Sequence, residues 1–106
     1  MTERYVVGAW LKPGMKGAAE QLLGTGPPFD PAGAGLSAHA AYLDDEGVYL
    51  VFEGDGAHSK ALRLAREHMV EVARWQSVIR DLPSSVGDVP ASASCLYSWT
   101  ANDTIA

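Results

Sequence analysis

The three histidines are the side chains of this sequence best suited to proton transfer near neutral pH. His68 interrupts the apolar face of a long helical repeat, so its imidazole is expected to point toward a sheet. His39 lies in a strand-like run with the small residues Ser37 and Ala41 on its own face, which leaves space beside the ring. His58, near the start of the helix, is expected to be structural. We therefore predict His68 and His39 as acid and base; for His68 the alternative is a core histidine bonded to the backbone.

Aromatic and acidic side chains could form the walls of a ligand site around these histidines. Trp75 follows His68 by seven residues on the same helical face. Tyr49 and Glu53 share one face of a strand, and Tyr97 lies in the last strand-like run. These four residues are predicted to contact a substrate; the alternatives are core filling for the aromatic rings and a partly exposed strand end for Glu53.

The sequence contains no motif for a metal or a cofactor, and none is predicted. The histidines have no i, i+4 pair, and ligation of a metal by His39 and His68 would still need a carboxylate. The glycines from Gly24 to Gly35 lack the lysine of a phosphate-binding loop and follow a helix rather than a strand. The single cysteine, Cys95, excludes an internal disulfide and is expected to be a packed thiol in the last strand.

Length and composition indicate one globular domain, assigned to residues 1–99, followed by a flexible tail at 100–106. The chain has 106 residues, of which 47% are hydrophobic and 20% charged, a usual balance for a packed domain. A formal net charge of −5 disfavours binding to nucleic acid or to an anionic membrane. No apolar stretch is long enough to span a bilayer, and the N-terminal residues enter a strand pattern at once, so a cytoplasmic location is expected.

The elements that must position these residues follow from a change of hydrophobic period near Gly54. Alternating apolar residues before Gly54 predict a strand. After it, apolar residues spaced alternately four and three positions apart predict a helix that continues to Leu82. This helix is expected to kink or break near His68. Asp55 is the predicted helix cap. Strands are predicted at residues 5–11, 36–43, 48–53 and 91–99, a first helix at 15–23, a long loop at 24–35 and a hairpin turn at 44–47.

The order β, α, β, β, α, β predicts an α+β fold, the ferredoxin-like sandwich, with four antiparallel strands and both helices on one face. Apolar residues occur on both faces of the predicted strands, so the open face is expected to pack against a second copy in a homodimer. If His39 lies under the helices, it converges with His68. If His39 lies on the opposite face, it is inside the dimer, and the pattern does not choose between the two.

The chain resembles the dimeric α+β barrel superfamily, in which two such sheets close into a shared barrel. Its nearest likeness is to the small polyketide cyclases of the tetracenomycin type. The resemblance rests on the run 48–53 before a helix, on Arg66-Glu67-His68, and on the terminal run 95–99. Those cyclases carry Arg and His on the hairpin strands, whereas this chain has His39 there and no arginine.

The resemblance implies a cofactor-independent enzyme of bacterial-type secondary metabolism. Its substrate would be an apolar, aromatic or polyketide-like molecule, bound between helices and sheet and converted by proton transfer in a cyclisation or aromatisation. Two alternatives stay open. One is a cofactor-free monooxygenase of the same fold, and the other is a non-catalytic ligand-binding or accessory dimer whose histidines are structural.

Overall fold

The computed structural model describes residues 2–27, 29–80 and 83–101. The predicted end of the long helix at Leu82 and the tail beyond Ala101 lie outside these residues. None of the helices within them is both long enough and apolar enough to cross a membrane. The elements in chain order are β1 (Thr2–Trp10), α1 (Lys16–Leu23), β2 (Ala38–Leu43), β3 (Gly47–Asp55), α2 (Ala57–Glu67), α3 (Met69–Trp75), β4 (Ser84–Val86) and β5 (Ser94–Thr100).

The fold is α+β, built on an antiparallel sheet with the strand order β4-β1-β3-β2-β5. Strand β1 pairs with β3 along its whole length, from Thr2 opposite Asp55 to Trp10 opposite Gly47. The predicted hairpin between β2 and β3 is confirmed. Asp44 closes its turn by accepting hydrogen bonds through Oδ1 from the backbone N–H groups of Glu46 and Gly47, at 2.8 and 2.7 Å.

The expectation of four strands is wrong, because the described residues form five. The predicted last strand is β5, which pairs with β2 at one edge of the sheet. The other edge, beside β1, is occupied by the three residues of β4, which lie between the predicted long helix and the predicted last strand. A run as short as Ser84–Val86 contains too few residues to show the alternation by which strands are predicted.

The long second helix breaks at His68, as predicted, but the expectation that it continues to Leu82 is wrong. His68 has φ −119° and ψ 44°, so α2 ends before it and α3 begins after it. Helix α3 ends at Trp75, and the backbone of 76–80 turns to pair with the end of β1, where the Arg80 N–H donates to the Trp10 carbonyl. The predicted cap at Asp55 is wrong, because the N-cap of α2 is Gly56 and Asp55 is the last residue of β3. Gly56 has φ 65°, a left-handed conformation that glycine adopts without the steric cost of a Cβ atom.

The helices pack on one face of the sheet. Buried residues of α1 (Ala19 and Leu23) join a cluster with Leu43 and Val48, while those of α2 join Phe52 in a second cluster. The same two clusters include Tyr5, Val7 and Ala9 of β1. Because side chains alternate along a strand, the odd-numbered residues of β1 and the even-numbered residues of β3 lie on the helix side.

A connection that we call the strap, residues 87–93, crosses the opposite face from β4 at one edge to β5 at the other. Asp88 accepts a hydrogen bond from Nη2 of Arg4 at 2.7 Å, and Ser92 donates through Oγ to Oδ2 of Asp44 at 3.1 Å. Between these two ties, Val89 packs against a cluster of buried residues: Val6, Ala40 and Val51. The chain therefore covers part of the face predicted to meet a second subunit.

Candidate active site

A cavity of about 320 Å³ lies between the sheet and helices α2 and α3. Three of its lining residues have small side chains and leave the space open: Ala9, Ala61 and Ala65. Most of the other lining residues are large and apolar, with rings contributed by Tyr5, Phe29, Phe52, Trp75 and Tyr97. A pocket of this size, apolar with a few converging polar groups, is the usual form of a small-molecule site.

His39 is a polar residue at the sheet side of this cavity, with only 2% of its surface exposed. Its Nδ1 lies 2.9 Å from the carbonyl oxygen of Val51, and its Nε2 lies 2.8 Å from the hydroxyl of Tyr97. A carbonyl oxygen accepts hydrogen bonds only, so Nδ1 carries the proton. Nε2 then accepts a hydrogen bond from the Tyr97 hydroxyl, so the position of the ring and its tautomer are both fixed.

Burial controls the charge of this pair. Desolvation lowers the pKa of His39 from 6.5 to about 4, and the hydrogen bond to the Val51 carbonyl opposes that change. Burial also raises the pKa of Tyr97 above its ordinary value. Both side chains are therefore neutral near pH 7, and the site offers a neutral imidazole in contact with a neutral phenol.

Aromatic rings surround the His39 imidazole. Its ring centroid lies 4.8 Å from that of Phe52, 5.0 Å from that of Phe29 and 5.3 Å from that of Tyr97. Phe52 belongs to the helix side, so His39 lies under the helices. This answers the question that the strand pattern left open, and it explains the strong desolvation of the imidazole.

His68 lies at the break between α2 and α3, with 29% of its side chain exposed. Its ring centroid is 6.1 Å from that of Phe29, and Nδ1 is 3.9 Å from Oε2 of Glu71. Phe29 therefore contacts the rings of both His68 and His39. Glu71 lines the cavity, whereas His68 is not one of the lining residues.

The predicted substrate-contacting residues divide between the two faces of the sheet. Trp75 and Tyr97 line the cavity. Tyr49 and Glu53 lie on the strap side, because the helix side of β3 is occupied by its even-numbered residues. There the Tyr49 hydroxyl donates to Asp44 at 3.4 Å, and an oxygen of Glu53 lies 3.9 Å from Nη1 of Arg4. The structure thus separates Tyr49 and Glu53 from the cavity.

Two aromatic neighbours of His39 were missed by sequence reasoning. Phe52 could have been found, because the hairpin turn at 44–47 sets a register in which residue 39 pairs with residue 52. Phe29 carries no such signal, since it belongs to an irregular loop. Cys95, predicted to be a packed thiol, is exposed, and its Sγ donates to the Tyr97 carbonyl oxygen at 3.3 Å.

Within residues 2–27, 29–80 and 83–101, no three His, Cys, Asp or Glu side chains lie close enough together to hold a metal ion. Comparisons of the chain with protein-family models, with curated proteins and with solved structures found no match. The functional argument below therefore rests on the cavity and on the groups that line it.

Proposed function

We propose that this chain binds a small apolar, aromatic molecule in the cavity under α2 and α3 and acts on it by proton transfer without a cofactor, in the manner of a polyketide cyclase. One observation carries the proposal. The cavity is apolar except at a few positions, and at one of them the neutral pair His39 and Tyr97 is held in a fixed geometry. A buried polar pair in a mostly apolar pocket can orient a ligand and exchange a proton with it.

The proposed step uses Tyr97 as a relay. A substrate C–H or O–H group loses its proton to Oη of Tyr97, while the phenolic proton moves to Nε2 of His39. The resulting imidazolium is stabilised by its Nδ1–H hydrogen bond to the Val51 carbonyl. Return of the proton to a different substrate atom completes a tautomeric shift, as in a cyclisation or aromatisation, with no oxidant or reductant required.

The low pKa of His39 restricts the substrates suited to this step. An imidazole whose pKa is about 4 is a weak base, so the proton that it takes must be acidic. A C–H group between two carbonyl groups, as in a polyketide chain, or between a carbonyl group and an aromatic ring meets this requirement. The same low pKa makes the imidazolium a strong acid, which favours return of the proton to the product.

The test is proton exchange in a simple aromatic ketone, 2-tetralone, followed by NMR in deuterated water. We expect the wild-type protein to accelerate exchange of the acidic C–H, and Tyr97→Phe to reduce this acceleration by at least about tenfold. Affinity, measured by quenching of the tryptophan fluorescence to which Trp75 in the cavity wall contributes, should change less than about threefold, since the ring of residue 97 remains. Tyr49→Phe removes a hydroxyl from the strap side and is the matched control, with exchange unchanged.

A non-catalytic ligand-binding or accessory protein is the second candidate. It is favoured by the pairing of both His39 ring nitrogens and by the 2% exposure of this side chain, which are typical of a structural histidine. Binding of 2-tetralone without accelerated exchange, or exchange that is unaffected by Tyr97→Phe, would favour this candidate over the enzyme.

The homodimer through the open sheet face is part of the same proposal. The strap covers Val6, Ala40 and Val51 with Val89, so a second copy would pack over the strap or displace it. The half-exposed Trp10, from an even-numbered position of β1, offers apolar surface on this side. The cavity lies on the helix side, so ligand binding does not require the partner.

A further inference from the structure

From the charges that line the cavity, we infer that it selects its ligand by charge, accepting cationic and neutral aromatic molecules and rejecting anionic ones, with the cationic group of the ligand beside Glu71. Among the described lining residues, Glu71 is the single charged side chain, and neither Lys nor Arg is present. The inference rests on the ligand-binding part of the proposed function and extends it to the chemical class of the ligand.

The carboxylate of Glu71 is placed to receive a cation. It lies in the first turn of α3, on the helix that also contributes Val72 and Trp75 to the cavity. Its side chain is 39% exposed, and its nearest basic contact is Nδ1 of His68 at 3.9 Å, longer than a hydrogen bond. A protonated amine in the cavity can therefore approach this carboxylate more closely than the imidazole does.

The rings of the cavity wall add to this preference. Tyr5, Phe29 and Trp75 present aromatic surface to the same space, and the face of an aromatic ring attracts a cation. An anionic ligand would lose hydration on entry without gaining a cationic partner, and it would be repelled by Glu71. A neutral ligand avoids both effects and still gains from burial of its rings.

The test compares three compounds that share one ring system and differ only in the head group: 2-naphthylmethylamine, 2-naphthylmethanol and 2-naphthoate. Binding to the wild-type protein is measured by calorimetry at about pH 8, where imidazoles are ordinarily neutral. We expect the amine to bind about fivefold to tenfold tighter than the alcohol, and the carboxylate to bind weakest.

Glu71→Gln should remove the advantage of the amine and leave the affinity for the alcohol within about twofold. Glu67→Gln is the matched control. Glu67 is an exposed carboxylate on α2, 3.6 Å from Arg63, and does not line the cavity. In this variant the ratio of amine to alcohol affinity should stay at the wild-type value.

The outcomes separate the two proposals. If the alcohol binds but the amine binds no tighter, or if Glu71→Gln leaves the ratio unchanged, selection by charge is wrong and ligand binding stands. Tightest binding of 2-naphthoate would likewise overturn the selection by charge. If none of the three compounds binds, the ligand-binding proposal itself is wrong, and the inference that depends on it is overturned as well.

Discussion

The two faces of this sheet are both apolar, yet they are filled in different ways. On the strap side, Val6, Ala40 and Val51 are buried under a segment of the chain that is tied down at both ends. On the helix side, the helices pack around a cavity of about 320 Å³. The apolar pattern of the strands therefore predicts that each face is covered by other parts of the protein, but it does not predict how densely they pack against the sheet.

The difference in packing between the two faces indicates where a ligand site can form in so small a domain. Small residues that line the cavity, such as Ala9 of β1 and Ala61 of α2, leave space between sheet and helix, and the buried polar pair of His39 and Tyr97 lies beside this space. The strap side has no such room near Gly8, where an added Cβ would lie 3.1 Å from a methyl carbon of Val86 and 3.2 Å from the Tyr49 ring.

The largest expected effect concerns His39 and pH. The pKa of His39 in the folded protein is about 4, below its ordinary value of 6.5. Between these two pH values the unfolded chain binds more protons than the folded protein, so the free energy of unfolding decreases as the pH falls. The stabilisation is fully present above pH 6.5, and about 3 kcal/mol is lost on acidification through the folded pKa. The measurement is urea unfolding across this pH range.

His39→Gln isolates the effect from the titration of other groups. A glutamine amide can donate to the Val51 carbonyl and accept from Tyr97, but it does not titrate. On acidification, the free energy of unfolding of the wild type should therefore decrease more than that of the variant. Parallel stability curves for the two proteins would show that His39 is not desolvated in this way.

The second prediction applies one substitution to adjacent residues of β1. Val6 is 2% exposed and packs under the strap, while Val7 lines the cavity. We expect Val6→Ala to lower the free energy of unfolding by about 2 kcal/mol, and Val7→Ala by about 1 kcal/mol, because part of the Val7 side chain already faces empty space.

The same pair of variants separates stability from binding. Val7→Ala should change the affinity for an apolar ligand, since it enlarges the cavity, whereas Val6→Ala should leave it within about twofold. Equal losses of stability from the two substitutions would mean that the helix side is as closely packed as the strap side, and the comparison would fail.

The main features of the fold could be predicted from the sequence, because they depend on local periodicity. The change of period at Gly54, the turn before Gly47 and the break at His68 all mark real boundaries. Strand β4 could not be predicted in this way. Its position beside β1 depends on pairing with residues far away in sequence, and its three residues carry no periodic signal.

The site could be predicted only in part, for a related reason. The residue types indicated His39, Trp75 and Tyr97, and all three line one cavity. Tyr49 and His39 both come from the hairpin, but which face each would occupy depended on where the helices pack. Phe29, which contacts the rings of His39 and His68, belongs to a loop, and no local sequence pattern predicts the path of that loop.

The smallest expected effect comes from loosening the strap. Val89 is partly buried and packs on the cluster of Val6, Ala40 and Val51, so Val89→Ser should lower the free energy of unfolding by about 1 kcal/mol. Hydrogen exchange at the backbone of the strap should become faster. Ligand affinity in the cavity should stay within about twofold, because the sheet separates the two regions.

Sedimentation of the same variant bears on the homodimer. If a second copy packs over the strap, loosening the strap weakens the interface, and the dimer dissociates at a higher protein concentration than in the wild type. If the partner displaces the strap, Val89→Ser weakens the packing of the strap on the sheet that the partner must overcome, and the dimer becomes tighter. A single monomeric species for both proteins would overturn the homodimer and leave the strap as the cover of this face.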